Sequence, residues 1–155
     1  DVQARPTSAL LLTANVAYLH SKVGNGVALY NSQTGADEDV SGNRLPRSPQ
    51  WTIGTTATYT VPLPNGELSV TGEYRYQTGI FFDIFDRSLA QQSAYSLVNA
   101  QLRYTAEDGK WYLGLWGKNL TNTTYKASAL FNGLGGALDF YAPPRTYGLQ
   151  LGFKM

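Results

Sequence analysis

Cysteine is absent from this sequence of 155 residues, and charged residues make up only 15% of it. The lack of cysteine excludes a disulfide framework and a thiolate metal site. Soluble domains usually carry about 25% charged residues, so the chain is poor in charge for a soluble protein. No apolar run approaches the roughly 18 residues that a membrane-spanning helix requires. These deficits exclude a disulfide-stabilised scaffold and a helical membrane protein.

The sequence also has little material for a catalytic or metal centre. His20 is the only histidine, so a multi-histidine metal site is excluded and no catalytic triad stands out around it. Asp37, Glu38 and Asp39 form an acidic run that lacks the spacing of a calcium loop. The net charge is +1 and no basic run occurs, which excludes nucleic acid as an expected partner. We predict that the protein is not an enzyme and uses no cofactor.

What the sequence does contain is alternation between large apolar residues and small or polar ones, the period of a β-strand. In the clearest stretch, Trp51 and Tyr59 fall on one face and Thr56 on the other. The predicted strands are residues 9–22, 49–61, 67–79, 94–105, 110–120 and 144–153. Residues 1–5 are predicted to be the tail of a seventh strand.

The connections between the predicted strands alternate in length. Residues 6–8, 62–66 and 106–109 are short and rich in turn-forming residues, whereas residues 23–47, 80–93 and 121–143 are long. Short turns on one side and long loops on the other are typical of bacterial outer-membrane β-barrels. We predict an all-β, antiparallel, up-and-down transmembrane β-barrel segment of about six full strands plus an N-terminal partial strand.

Aromatic residues lie near both ends of the apolar face. At the short-turn end they are Tyr59, Tyr104, Trp111 and Phe153, and at the long-loop end they are Tyr18, Trp51, Tyr76 and Tyr147. About eight residues separate the two groups along a strand, and at about 3.3 Å per residue and a tilt near 40° they span roughly 20 Å. That height is close to the apolar band between the aromatic girdles of a membrane barrel.

The apolar face is therefore predicted to contact outer-membrane lipid, and the opposite face to point into the barrel lumen. The predicted lipid-facing residues are Trp51, Tyr59, Leu68, Val70, Leu102, Trp111, Leu113, Leu149, Leu151 and Phe153. The predicted lumen-facing polar residues are Glu73, Arg75 and Arg103, with Thr56, Gln101 and Gln150. Because the other face is lipid, we expect these charges to pair, to meet a plug or to contact a solute.

The C-terminal strand carries a pattern of its own. Thr146, Gly148, Leu151 and Phe153 resemble the C-terminal signal of bacterial outer-membrane β-barrels, although two residues follow the aromatic one. An exposed strand with a fixed side-chain pattern can be captured by strand addition. The barrel-assembly machinery is therefore an expected partner.

Three longer stretches resemble, in the right order, the late barrel strands of TonB-dependent receptors. They are residues 42–49, residues 111–122 with Tyr125, and residues 143–148. The resemblance covers nearly the whole chain. It implies a multi-pass barrel in the Gram-negative outer membrane that imports a scarce nutrient, with a ferric siderophore as the expected ligand and TonB as the source of energy.

The resemblance also implies a plug domain, through which TonB acts, and earlier barrel strands. Six strands and a partial one cannot close as an even-numbered barrel. Residues 1–155 are therefore expected to be the C-terminal portion of the barrel, with the plug and the earlier strands outside this sequence.

One alternative is a small, complete eight-stranded barrel that acts as a passive pore or an adhesin. It requires another wall strand, for instance near residues 127–134 of the last long loop. Barrels of that size fill their interior with side chains. The inward face of residues 49–61 instead offers mostly Thr and Gly, which suits a wider barrel.

The long loops are unexpectedly aromatic. Exposed apolar clusters usually mark contacts, so these side chains are expected either to pack on other loops or to touch an incoming ligand. The candidate ligand contacts are Phe82, Phe85, Phe131, Phe140 and Tyr141.

Overall fold

The computed structural model describes residues 1–131 and 136–154. Its main element is one seven-stranded antiparallel sheet. Strands are numbered in chain order together with six short strands of the loops; from one edge of the sheet to the other they are β1 (Val2–Thr7), β2 (Leu10–Tyr18), β5 (Trp51–Leu63), β6 (Gly66–Gln77), β9 (Tyr95–Ala106), β10 (Trp111–Lys118) and β13 (Thr146–Phe153). The predicted six strands and the partial seventh are confirmed, and so is the up-and-down order.

Three tight turns and three long loops connect the sheet strands in alternation. The long loops, here called the first, second and third long loop, are residues 19–50, 78–94 and 119–145. Gly109 shows why one tight turn closes where it does, because its φ of 65° lies in the left-handed region that favours glycine. All three tight turns lie at one end of the sheet, since neighbouring strands are antiparallel.

The first tight turn differs from its prediction. It was expected at residues 6–8, but β1 continues through Pro6 to Thr7 and pairs there with Leu10. The ladder is interrupted between Ala4 and Thr7. Proline, which has no N–H to donate, is tolerated at an edge strand or a bulge, and β1 provides both. The Thr7 Oγ1 then accepts a hydrogen bond from the Leu10 N–H at 3.1 Å.

The long loops contain secondary structure that the alternation did not predict. Each holds a two-stranded antiparallel pair: β3 (Ala28–Asn31) with β4 (Ala36–Asp39), β7 (Ile80–Phe81) with β8 (Gln91–Gln92), and β11 (Lys126–Phe131) with β12 (Ala137–Tyr141). A short 3₁₀ turn, Ser88–Ala90, lies in the second loop. The strand sought near residues 127–134 by the eight-stranded alternative thus pairs with β12 and adds nothing to the sheet. Residues 132–135 of that stretch lie outside the described residues.

The apolar face of the sheet is continuous, and none of the described residues forms a second layer on it. Tyr59, Val70, Leu102, Leu115 and Leu149 lie side by side on five successive strands. Their exposed fractions run from 38% for Leu102 to 73% for Leu149. Alternation of this kind leaves an apolar surface far larger than a soluble monomer exposes.

Buried apolar residues lie in the long loops instead. Among the described residues they are Val40, Ile80, Ala90 and Ala129. The part of the chain that the structure describes contains no helix with the length and hydropathy of a transmembrane span.

Aromatic pairs form at both ends of the apolar face. At the long-loop end the rings of Tyr18 and Trp51 lie 4.7 Å apart between centroids. At the tight-turn end the rings of Tyr104 and Trp111 lie 5.3 Å apart, and the Tyr104 hydroxyl donates to the Asn65 carbonyl at 2.6 Å. Each pair combines a large apolar ring surface with a polar group. Side chains of this kind are typical of the boundary between an apolar and an aqueous phase.

Candidate functional site

The polar face of the sheet carries an ionic cluster on two neighbouring strands, β6 and β9. Register places Glu73 directly between Thr56 and Asn99. Arg75 Nε donates to Glu73 Oε1 at 2.5 Å, and Asn99 Nδ2 donates to Glu73 Oε2 at 2.9 Å. Both oxygens of the carboxylate are therefore engaged, while the Arg75 side chain stays 68% exposed. The cluster neutralises Glu73 and leaves a guanidinium edge accessible.

Arg103 lies on the same face but does not join this cluster. Pairing was one of three expectations for the inward charges, beside contact with a plug or a solute, and Arg103 places its guanidinium 3.7 Å from the centroid of the Tyr112 ring. Gln150 Nε2 donates to the Tyr112 hydroxyl at 2.9 Å. A guanidinium over an aromatic face is a favourable partner where no carboxylate is near. Arg103 thus belongs to the tight-turn half of the face, and Glu73 and Arg75 to the long-loop half.

A cleft of about 540 Å³ opens on the polar face toward the long loops. Gly54 forms part of its lining, and the Asn15 side chain lies where a side chain on Gly54 would be. The residues with polar side chains that line the cleft are Asn15, Thr52, Thr55, Thr56, Glu73, Arg75, Tyr76, Gln77, Tyr95 and Tyr125. The Glu73 carboxylate already accepts hydrogen bonds from Arg75 and Asn99. Most of the other polar groups that line the cleft are hydrogen-bond donors or hydroxyls. The cleft therefore suits an oxygen-rich group of low or negative charge.

Two stacked tyrosines border this cleft. The rings of Tyr95 and Tyr125 lie 4.3 Å apart with an 18° angle between their planes. Tyr95 begins β9, directly opposite Gln77, and Tyr125 comes from the third long loop. Sequence reasoning did not select Tyr95 or Gln77. Their positions in the alternation were the available signal, since both fall on the polar face at the end of their strands.

Three arginines stack on aromatic rings of the long loops. Arg87 lies 4.4 Å from the Phe85 ring centroid and 4.6 Å from that of Phe131. Arg47 lies 5.6 Å from the Phe82 ring centroid. We call the set Arg44, Arg47, Phe81, Phe82, Phe85, Arg87 and Phe131 the loop cluster, with Arg44 over the Phe81 ring at 5.2 Å. Stacking on arginine explains why so many aromatic residues occur in these loops.

Hydrogen bonds at the loop cluster connect all three long loops. The Arg47 N–H donates to the Phe81 carbonyl at 2.8 Å, and Arg47 Nη2 donates to Ser128 Oγ at 2.9 Å. The Lys126 N–H donates to Gln92 Oε1 at 2.6 Å. Arg47 has a φ of 57°, a conformation that non-glycine residues rarely adopt and that neighbouring contacts must hold. The three loops thus form one connected unit.

The predicted ligand-contact residues divide into two groups. Phe82, Phe85 and Phe131 pack on arginines within the loop cluster. Phe140 and Tyr141, on β12, are 51% and 60% exposed. Loop packing accounts for the first group, and the second remains accessible from outside.

The acidic run of the first long loop serves the local β3–β4 hairpin. Asn31 Nδ2 donates to Glu38 Oε2 at 2.5 Å, and the Ser41 N–H donates to Asp39 Oδ1 at 2.8 Å. The hydrogen bonds from Ser41 lower the pKa of the exposed Asp39 carboxyl, since they favour its charged form. Among residues 1–131 and 136–154, no three His, Cys, Asp or Glu side chains meet as a metal-ligand group.

The four residues of the C-terminal pattern fall on both faces of β13. Leu151 and Phe153 lie on the apolar face, opposite Leu113 and Trp111 of β10. Thr146 and Gly148 lie on the polar face with Lys118 and Trp116 opposite. Phe153 is 74% exposed, at the free edge of the sheet.

Comparison with known proteins gives one family and several structures. The family model described as TonB dependent receptor-like, beta-barrel, matches residues 2–120. The ferric yersiniabactin uptake receptor FyuA from Yersinia pestis is similar, with a TM-score of 0.81 and 19% identity; the match covers 96% of this chain and 21% of that one.

Two structures from Acinetobacter baumannii are also similar. The siderophore receptor PiuA has a TM-score of 0.74 and 21% identity, and the match covers 96% of this chain and 20% of PiuA. BauA, the ferric preacinetobactin receptor, has a TM-score of 0.63 and 17% identity over 96% of this chain and 20% of BauA. The chain spans about a fifth of the length of these structures, and at these identities the likeness establishes the fold.

Proposed function

The chain belongs to the TonB-dependent receptor-like β-barrel family, and we propose that it forms the C-terminal part of the barrel of an outer-membrane receptor for ferric siderophores. In this proposal a plug domain and the earlier strands complete the receptor, and TonB supplies the energy for uptake. The family is one of receptors and transporters, which agrees with a protein that is not an enzyme.

The observation that carries the proposal is the seven-stranded sheet: within residues 1–131 and 136–154, nothing packs on its apolar face and no strand pairs with its edge strands β1 and β13 from outside the sheet. Hydrocarbon does not tolerate unpaired backbone N–H and C=O groups, so a sheet in a membrane must be closed by further strands. Lipid on the apolar face and a continued barrel at both edges satisfy these two requirements together.

The ligand class is supported by the named functions of the similar structures and by the chemistry of this chain. FyuA, PiuA and BauA are receptors for ferric or siderophore ligands. The cleft beside Arg75 and Tyr95 offers donors to an oxygen-rich ligand, and the exposed Phe140 and Tyr141 offer aromatic surface at the loops. We propose that a ligand meets the loop aromatics first and then the polar face. Glu73, Arg75 and Arg103 would then line the lumen.

The eight-stranded alternative has less support. It requires an eighth wall strand, and residues 1–131 and 136–154 contribute seven strands to the sheet. A passive pore would also not depend on TonB, which gives an experimental distinction between the two proposals.

Uptake of iron tests the proposal directly. Deleting the gene in the bacterium that carries it should abolish uptake of ⁵⁵Fe from one class of a panel of hydroxamate, catecholate and phenolate siderophores. The same uptake should be lost in cells without TonB. Unchanged uptake from every class would contradict the siderophore proposal, and uptake that needs the gene but not TonB would favour the passive barrel.

Variants of the full-length receptor locate the loop contacts. Tyr141→Ala is expected to weaken binding of the transported ferric siderophore severalfold, because the ring is exposed on β12 of the third long loop. Tyr30→Ala is the matched control, since Tyr30 is 66% exposed on the β3–β4 hairpin. Equal affinity in the two variants would remove Tyr141 from the ligand path.

A further inference from the structure

Two glycines of the last sheet strand lie directly beneath aromatic rings of its neighbour. Register places Trp116 of β10 opposite Gly148 of β13 and Tyr112 opposite Gly152. A Cβ on Gly148 would lie 2.5 Å from Trp116 Cζ2, and a Cβ on Gly152 would overlap the Tyr112 ring. Real Cβ atoms essentially never approach other heavy atoms so closely. Each ring therefore occupies space that only glycine leaves open.

The alternating pattern alone does not determine how β13 is aligned along β10. A shift of one residue would exchange the faces, but a shift of two keeps every apolar residue on the apolar face. After such a shift Leu113, Leu115 and Leu151 would still meet apolar side chains, and Leu149 would meet Leu113 in one direction and Gly117 in the other. The lipid-facing side of this strand pair therefore discriminates little between the observed register and a two-residue slip.

The polar side distinguishes these registers. After a slip of two residues in either direction, Trp116 would lie opposite Thr146 or Gln150. A slip in one direction would also place Tyr112 opposite Gln150, and a slip in the other would place it opposite Lys154. Only the observed register sets both rings over glycine and also lets Gln150 reach the Tyr112 hydroxyl.

A short turn is not present to align these two strands. β5 and β6 are joined at a tight turn, where loop length sets the register of a hairpin. β10 and β13 are instead separated by the whole third long loop. Hydrogen bonds at the base of that loop, from Asn119 Nδ2 to the Pro143 carbonyl at 3.5 Å and from the Arg145 N–H to Asn122 Oδ1 at 3.0 Å, are the competing constraint.

We propose that Trp116 and Tyr112, seated on Gly148 and Gly152, set the register of β13 against β10. The two contacts lie on the polar face, and they give the observed register a higher packing density than either register shifted by two residues. Gly148 is then required by a neighbouring ring within the chain, in addition to any role in recognition during assembly. This inference does not depend on which solute the protein transports.

Disulfide trapping in the full-length receptor, isolated in outer membranes, measures the register. The chain has no native cysteine. Leu115→Cys with Leu149→Cys reports the observed pairing, and Leu115→Cys with Tyr147→Cys or Leu151→Cys reports slips of two residues. Without further change, the first pair should give nearly all of the cross-linked product, since a disulfide needs closely apposed Cβ atoms.

Gly148→Ala should lower the ratio of observed to slipped product by roughly tenfold, because overpacking penalises only the observed register. Gly114→Ala is the matched control on the same face: its Cβ would meet its nearest atoms at an ordinary 3.7 Å, and the ratio should not change. Removing both rings with Tyr112→Ala and Trp116→Ala should lower the ratio without any clash.

If Gly148→Ala fails to assemble, the double variant Tyr112→Ala with Trp116→Ala still tests whether the two rings set the register. A wild-type ratio in the double variant would assign the register to the base of the third long loop and overturn the proposal. A wild-type ratio in an assembled Gly148→Ala protein would overturn it as well. Both results are independent of siderophore uptake, so they leave the proposed function unaffected.

Discussion

Val70→Arg is expected to destabilise the protein in lipid by roughly 1–4 kcal/mol, since an arginine on the lipid face costs about 2–4 kcal/mol at the bilayer midplane and about 0–1 kcal/mol near the interface. Val70 lies in the middle part of β6, between Tyr59 and Leu102 on the apolar face. It is 45% exposed with nothing packed over it. A charged side chain at this position would have to leave water for hydrocarbon.

Thr56→Arg is the matched control for this substitution. Thr56 lies on the polar face, directly opposite the Glu73 carboxylate, which can accept a hydrogen bond from a new guanidinium. Unfolding of the full-length protein from lipid vesicles by guanidinium chloride measures both variants. A cost for Thr56→Arg equal to that of Val70→Arg would mean that the two faces do not meet lipid and lumen respectively.

Phe153→Ala is expected to reduce the amount of protein in the outer membrane severalfold more than Leu113→Ala does. Both residues lie on the apolar face, but Phe153 lies on β13 at the free edge and Leu113 lies on the interior strand β10. In the proposed receptor β13 is the last barrel strand. A barrel closes when its last strand pairs with its first, so this edge would stay open longest and could be recognised by strand addition.

Quantifying the folded receptor in outer-membrane fractions, normalised to total synthesis, separates recognition from simple loss of apolar area. Both substitutions remove apolar surface from the same face, so a defect of stability alone would affect them comparably. Equal losses would make β13 an ordinary wall strand and would remove Phe153 from the assembly signal.

The seven-stranded sheet could be predicted from the sequence because the pattern that specifies each strand lies within that strand. Each strand from Leu10–Tyr18 to Thr146–Phe153 alternates with a period of two, and that period fixes both the element and its faces. The connections then order the strands, since a tight turn forces antiparallel neighbours. The extension of β1 through Pro6 escaped prediction because proline usually marks a turn, and only its edge position made it acceptable in a strand.

The loops could not be predicted in the same way because their contacts join residues distant in the chain. Arg87 stacks on Phe85, which is near in sequence, but also on Phe131 of another loop. Arg47 of the first long loop donates to Ser128 of the third, 81 residues further along the chain. The four-residue strands β3 and β4 are too short for periodicity to be recognised. Aromatic composition indicated that these loops make contacts, without indicating with which residues.

The polar face was predicted in outline and not in detail. Period two placed Glu73, Arg75 and Arg103 together on one face, but pairing depends on the positions of neighbouring strands. Arg75 binds Glu73 on its own strand, whereas Arg103 meets the ring of Tyr112 on the next. The alternation likewise placed Gly148 on the polar face, but it did not indicate that the Trp116 ring lies above it.

Site-specific quenching on β13 tests the membrane-wall assignment most directly. Single cysteines at Leu149, Gln150 and Leu151 of the full-length receptor in lipid vesicles can carry a small fluorophore, which is exposed in turn to a lipid-bound and a water-soluble quencher. We predict lipid quenching at Leu149 and Leu151 and aqueous quenching at Gln150, since the first two share the apolar face and the third does not. Equal aqueous quenching at all three positions would contradict the assignment of this sheet to a membrane barrel.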